Sequence, residues 1–167
     1  GDLHGASWLS VHPISGDVVG SDALRRFSGR RGRQSWLRLR IEPGHIPETL
    51  ALAGAQLELD GHRIQVGTPN VYPLSPSPAL TARMVVIKGF VEEKPFEEAV
   101  QRQLSAYNVQ AAILLGRRRV IHIRDASVIG FGVQLMGLSD EHSLLLQARG
   151  LGGRQHFGCG VMVACSE

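Results

Sequence analysis

The chain has 167 residues, enough for one domain or two small ones with a sizeable core. Eighteen basic and 15 acidic side chains leave a net charge of only +3, which excludes a global polycation as the means of holding an acidic partner. No apolar run approaches membrane-spanning length, and the two cysteines, Cys159 and Cys165, form no Cys-x-x-Cys motif or Cys/His quartet for a structural zinc.

The chain opens on Gly1-Asp2-Leu3-His4, with neither an initiator methionine nor a signal-peptide pattern. Such a start in mid-pattern predicts a first module that lacks its opening strand and helix. Leu3 to Trp8 leads into the alternation Leu9-Ser10-Val11-His12, and Pro13 then marks a strand end or an edge strand. A basic, glycine-bearing loop follows, RRFSGRRGR from Arg25 to Arg33. Trp36 to Ile41 alternates strictly, with Trp36, Arg38 and Arg40 on one face and Leu37, Leu39 and Ile41 on the core face. The first of these faces is an aromatic and arginine surface suited to stacking bases or clamping phosphates.

Pro47 suits the first turn of a helix over Glu48 to Ala53, which Gly54 would end. Gln56–Leu59 and His62–Val66 flank Asp60-Gly61, a strong hairpin signal, and Val71–Leu74 predicts another short strand. Ser75-Pro76-Ser77-Pro78 can continue neither a helix nor a central strand, so a boundary is expected there, dividing the chain into modules 1–76 and 77–167.

Leu80 to Phe90 opens the second module as an apolar strand. Pro95 then starts a helix whose Phe96, Val100 and Leu104 are spaced four apart. Arg117–Asp125 and Ser127–Leu138 read as two strands. Ser139 or Asp140 can cap the next helix, with Leu144 and Leu145 inward, and Cys159–Cys165 reads as the last strand. The order strand, helix, strand, strand, helix, strand is the split βαβ of the ferredoxin-like fold. Periodicity by itself specifies α+β.

Between that second helix and the last strand lies Gly150 to Gly160, GLGGRQHFGCG, with five glycines and with Arg149 and Arg154 beside them. Glycines permit positive φ and close approach, and amides freed in this way can form anion-binding concavities. The loop follows a helix and precedes a strand, which fits neither the P-loop nor the dinucleotide fingerprint. A surface connection is the alternative reading on glycine content alone. The arginines add a second signal. They cluster at Arg25, Arg26, Arg30, Arg31 and Arg33, at Arg38 and Arg40, and at Arg117 to Arg119, in a chain whose only lysines are Lys88 and Lys94. Arginine recognises phosphate through a planar, bidentate fork, which favours RNA or DNA as the partner.

The ordered set LHGASWLSVHPISG, LAGAQLELDGHRIQVGTPNVYPLSP, LTARMVVIKGF and VIGFGVQLMGLSDEHSLLLQARGLGGRQHFGCGVMV covers nearly the entire chain. It resembles the CRISPR-associated endoribonucleases that cut precursor guide RNA at its repeats, the sixth Cas family of the RAMP superfamily, and is most similar to the subfamily ending in GLGGR followed by GCG. The resemblance implies tandem ferredoxin-like, RRM-like modules. It also implies metal-independent cleavage with no cofactor, in which the RNA 2′-hydroxyl is the nucleophile and the products carry a 5′-hydroxyl and a cyclic phosphate. The implied partners are the CRISPR RNA repeat hairpin and the other subunits of a Cascade-type effector complex, with no membrane and a cytoplasmic, reducing location in which both cysteines stay free.

The family's histidine commonly lies in a Leu-His dipeptide after the first helix, a place held here by Leu3-His4. His4 is thus the expected catalytic residue, with His12 as runner-up among seven histidines. Two departures stand beside this match. The helix that often supplies a tyrosine is missing, and Gly5-Ala6-Ser7-Trp8 occupies the place of a lysine. The expected RNA contacts are Arg30, Arg31, Arg33, Arg38, Arg40, Arg149 and Arg154, together with Gly150, Gly152, Gly153, Gly158 and Gly160 of the loop, where His156 is expected in a loop or RNA-contact role. A non-catalytic RNA-hairpin-binding subunit of the same fold shares all of these arginines and glycines, and only the histidine chemistry separates the two readings. A generic RRM-like single-strand binder is disfavoured because no aromatic pair stands out on a central strand.

Overall fold

The structure, a computed structural model, describes residues 6, 8–12, 36–59, 61–123 and 126–165. The C-terminal part follows the expected order. Strand β5 (Ala79–Val85) is followed by helix α2 (Glu93–Ala106), strands β6 (Ala112–Ile123) and β7 (Ala126–Met136), helix α3 (Asp140–Arg149) and strand β8 (Val163–Ala164). Their sheet order is β6-β7-β5-β8 and every pairing is antiparallel, the split βαβ arrangement of a ferredoxin-like module.

The sequence dictates the helices locally. In α2, Phe96, Ala99, Val100 and Leu104 share one face and are buried, while Glu97, Glu98, Gln101 and Arg102 stay wet. Helix α3 starts at Ser139, whose hydroxyl accepts the His142 amide at 3.2 Å. Leu146 is its fully buried apolar contact, with Leu145 half-buried against the same core. These helical residues pack on Leu80, Ala82, Val85, Phe131, Val133 and Leu135 of the sheet.

The inward positions of β5 are 80, 82 and then 85, so their parity changes at a bulge between Ala82 and Val85. A matching irregularity lies in β6 between Leu115 and Arg118, opposite the same stretch of β7. Gly132 lies between the paired residues Phe131 and Val133, against Gly116 on one side and the Arg83 carbonyl on the other. Beyond the bulges, β6 and β7 run on as a two-stranded arm from Arg118 and Phe131 to the Ile123–Ala126 pair. Met84, Val86, Val128, Cys159 and Ile121 pack at its base. Arg117, Arg118 and Arg119 are exposed at its root.

Strand β1 (Leu9–Val11) pairs antiparallel with β2 (Leu39–Ile41), and β3 (Gln56–Leu59) pairs with β4 (His62–Gln65). The latter is the Asp60-Gly61 hairpin expected from sequence. A 3₁₀ turn (Pro43–His45) leads into the short helix α1 (Ile46–Leu50), which begins and ends earlier than Glu48 to Ala53. Other expectations differ, and β6 begins at Ala112 rather than Arg117. Val71–Leu74 forms no strand, the strand predicted to reach Phe90 stops at Val85, and the terminal strand contains only two residues rather than Cys159–Cys165. The last two changes share a cause, because Val86 and Gly160 are drawn into contacts with the glycine loop. Among the described residues no helix is long and apolar enough to cross a membrane.

Leu104 is fully buried at the centre of the core. Leu104→Ala is expected to cost about 2 to 5 kcal/mol of unfolding free energy, measured by urea titration.

Candidate functional site

The glycines of the loop use their amides in packing within the protein. Gly150 donates to the Leu146 carbonyl at 2.8 Å, Gly152 to Gln103 Oε1 at 2.9 Å and Gly153 to the Val86 carbonyl at 2.8 Å. Gly158 donates to the Gln155 carbonyl at 3.1 Å and Gly160 to the Met84 carbonyl at 2.7 Å. All five expected glycines thus have their amides engaged within the protein. Their role is close approach: a methyl group on Gly152 would overlap the Val86 carbonyl oxygen, and one on Gly160 would overlap that of Leu151. Beside these glycines, Arg149 and Arg154 are exposed. Arg154 has left-handed φ at 64°, and the Arg149 guanidinium stands 5.8 Å from the centre of the Tyr107 ring. A groove of about 550 Å³ runs beside the loop, lined by Val86, Lys88, Gln103, Val128, Gly152 and Arg154 among others.

The loop also reaches the other end of the chain. Its 3₁₀ turn, Gln155–Phe157, lies against β1. Ser10 Oγ donates to Gln155 Oε1 at 2.8 Å, while Gln155 Nε2 donates to the Arg149 carbonyl at 2.8 Å. His156 Nε2 lies 2.7 Å from the Ala6 carbonyl oxygen, a geometry that assigns the ring proton to Nε2. Trp8, between these contacts, stacks on the His45 ring at 4.1 Å.

A second junction lies one strand away. Arg40 Nη1 donates to the Gln147 carbonyl in the last turns of α3 at 2.8 Å, and Nη2 stands 3.3 Å from His12 Nε2. A guanidinium can only donate, so His12 Nε2 is the acceptor and the imidazole is neutral. Burial pushes the His12 pKa down to about 4, helped by the charges of Arg40 and Arg38. Gln147 is itself buried, its side-chain amide donating to the Ser75 carbonyl at 2.8 Å and to Ser143 Oγ at 3.2 Å.

Of the residues expected from sequence, His4, Arg30, Arg31 and Arg33 lie outside the described residues. Arg38 is exposed and available to a phosphate. Arg40 is not on an open face as the alternation suggested, because α3 covers it. His12, at 7% exposure, is placed to hold Arg40. Trp36 is exposed at 76%, but Leu37, expected in the core, is exposed as well. Among the described residues no group of three or more His, Cys, Asp or Glu could hold a metal ion. Sequence reasoning missed Ser10, Gln147 and Gln155. Only Gln147 left a signal, since Ser143 and Gln147 interrupt the inward face of a helix at i and i+4.

The family model described as "Cas6 Crispr" matches residues 1–167. The chain is also similar to the CRISPR-associated endonuclease Cas6 of Myxococcus xanthus strain DK1622, at 42% identity over 161 residues, which are 96% of this chain and 67% of that protein.

Two outcomes are expected from this geometry. Gly152→Val should lower the melting temperature, by a strain of about 1 to 3 kcal/mol at positive φ plus the overlap with Val86. The His12 shift has a defined sign. On acidification the unfolded chain takes up this proton near the ordinary value of 6.5, whereas the folded chain resists until about 4. Stability is therefore lost as pH falls through that window, by up to about 1.4 kcal/mol per pH unit. His12→Gln, which keeps an acceptor for Arg40, should flatten the dependence of melting temperature on pH between about 6.5 and 4.5, read by differential scanning calorimetry.

Proposed function

Because this chain belongs to the Cas6 family, we propose that it is a metal-independent endoribonuclease that cuts precursor CRISPR RNA within its repeats and then stays on the repeat hairpin as a subunit of the effector complex. The observation that carries this reading is the contact of the arginine-bearing glycine loop with the strand at the other end of the chain. Ala6, held by His156, is two residues along the chain from His4. Two residues of chain span at most about 7 Å.

The reaction follows from what RNA itself provides. The 2′-oxygen attacks the adjacent phosphorus, its proton leaves to a base, the bond from phosphorus to the 5′-oxygen breaks, and that oxygen receives a proton. The products are a cyclic phosphate and a 5′-hydroxyl. In this reading His4 carries one of the two proton transfers, help worth about 10² to 10⁴-fold in rate. With no lysine after His4, the charge that stabilises the phosphorane comes from arginine, and Arg154 and Arg149 are the exposed cations flanking the turn beside Ala6. His12 is a poor proton carrier here, being buried with its Nε2 occupied by Arg40.

Affinity is a separate matter. The repeat RNA would lie along the groove beside the loop, with Arg38, Arg149, Arg154, the arginines of the 25–33 segment and Arg117 to Arg119 on the arm neutralising phosphates. In this reading, with the chain divided at 76/77, the groove belongs to the second module and β1 of the first module meets it at the 3₁₀ turn.

His4→Ala is expected to lower the single-turnover cleavage rate by about 10² to 10⁴-fold while leaving affinity for the repeat hairpin nearly intact, because proton transfer matters only along the reaction path. A 2′-deoxy nucleotide just upstream of the cut should block the wild-type protein, and EDTA should have no effect. Cleavage of the 2′-deoxy RNA, or a need for magnesium, excludes the mechanism. Tight binding by the wild type with no cleavage at all would identify a holding subunit instead.

A further inference from the structure

We propose that Gln155 and His156 are positioning residues for the cleavage reaction, latching β1 and Ala6 ahead of it onto the arginine-bearing loop. The proposal rests on the reading that the residues ahead of β1, His4 among them, take part in proton transfer.

Among the described residues β1 has few ties to the C-terminal module, which is where a latch matters. Its ladder is three residue pairs with β2, and a two-stranded ribbon is marginal in water. The stacking of Trp8 on His45 ties it further, but again to its own half of the chain. Contact with the C-terminal module runs through Arg40, on the neighbouring strand, and through the 3₁₀ turn. Among the described residues the turn makes hydrogen bonds to β1 itself and to Ala6, the described residue ahead of Trp8.

Both side chains suit positioning more than chemistry. Gln155 is used at both ends, accepting from the buried hydroxyl of Ser10 and donating to the Arg149 carbonyl, so it fixes the spacing between β1 and the end of α3. His156 donates its Nε2 proton to a backbone carbonyl. A glutamine amide can make the same donation but cannot shuttle a proton at neutral pH.

The turn is also rigid. Arg154 and Gly158, both left-handed, bracket it, and the Arg154 carbonyl accepts the amides of Phe157 and Cys159 at 2.9 and 3.3 Å. A phosphate held by Arg154 would therefore stand at a fixed place relative to Ala6. A displacement of about 1 Å in a reacting geometry can cost as much as 100-fold in rate.

The test uses the full chain and its repeat RNA, comparing wild type, His156→Ala, His156→Gln and Gln155→Leu. The alanine and leucine variants should cleave about 10- to 100-fold more slowly in single turnover. Their affinity for an uncleavable 2′-deoxy repeat should stay within about 3-fold of wild type, as phosphate contacts dominate it. His156→Gln should recover to within about 5-fold of wild type with an unshifted pH–rate profile, since its amide donates to the same carbonyl. Hydrogen exchange over residues 6–12 should quicken in the alanine and leucine variants, and this readout does not depend on cleavage.

A His156→Gln protein as slow as His156→Ala, or one with a shifted pH profile, overturns positioning in favour of proton chemistry at His156. Unchanged cleavage in both the alanine and leucine variants overturns it too, even with quickened exchange. If instead His4→Ala cleaves normally, the assignment of His4 fails, while the rate and exchange results still decide the latch.

Discussion

Two carbonyl oxygens at the end of β5, those of Met84 and Val86, set the constraint on which the site depends. They sit where β5 leaves the core, and a buried carbonyl without a partner costs about 1 to 3 kcal/mol. Their partners are the amides of Gly160 and Gly153, and the approach to Val86 is so close that Gly152 has no room for a Cβ. The chain leaving α3 is thereby pulled against β5 twice, once at Gly153 and again at Gly160. The residues between those two points must turn outward and return. That excursion is the 3₁₀ turn carrying Gln155 and His156, and its direction brings it onto β1.

Local chemistry made most of the C-terminal module, and one hairpin of the first, legible. The four-residue spacing of Phe96, Val100 and Leu104, the Ser139 cap and the Asp60-Gly61 turn each act over a few residues, and each appears as the sequence implied. What the sequence did not show are contacts between residues far apart along the chain. The alternation of Trp36 to Ile41 correctly implies a strand at Leu39–Ile41, but it cannot say that α3 will cover the face bearing Arg40. The five glycines are likewise conspicuous, while the carbonyls of Met84 and Val86 that Gly160 and Gly153 bind lie some 70 residues earlier and are not written anywhere nearby. Motif resemblance was informative because it covers the ordered whole, and the family match spans that same length. The candidate site was thus legible in part. Its loop and arginines stood out, whereas Ser10 and Gln155, ordinary polar residues, gain meaning only when the two chain ends meet.

Arginine is used here in two physically distinct ways. Arg40 is half-buried, and burial together with the charge of Arg38 lowers its pKa. Its hydrogen bonds to Gln147 and His12 compensate that desolvation, so it acts as a structural tie. Arg38, Arg149, Arg154 and Arg117 to Arg119 are exposed, and their charge remains available to a polyanion. The neutral His12 belongs to the first group, since a second charge beside Arg40 would repel it in a poorly solvated place.

The energetic scale of the β1 contact explains why so few hydrogen bonds suffice. Joining residues about 145 positions apart, as Ser10 and Gln155 are, costs more closure entropy than joining Ser10 to Arg40, but only by about 0.6 kcal/mol per doubling of the loop. Shorter ties reduce even that. Ser77 donates to Ser143 Oγ at 2.9 Å and Gln147 to the Ser75 carbonyl at 2.8 Å, so the connection between the halves is already fixed to α3 before β1 docks. Two or three hydrogen bonds at about 0.5 to 1.5 kcal/mol each are then of the same size as the remaining cost. Such a balance holds β1 in place but leaves it sensitive to anything that stabilises the loop.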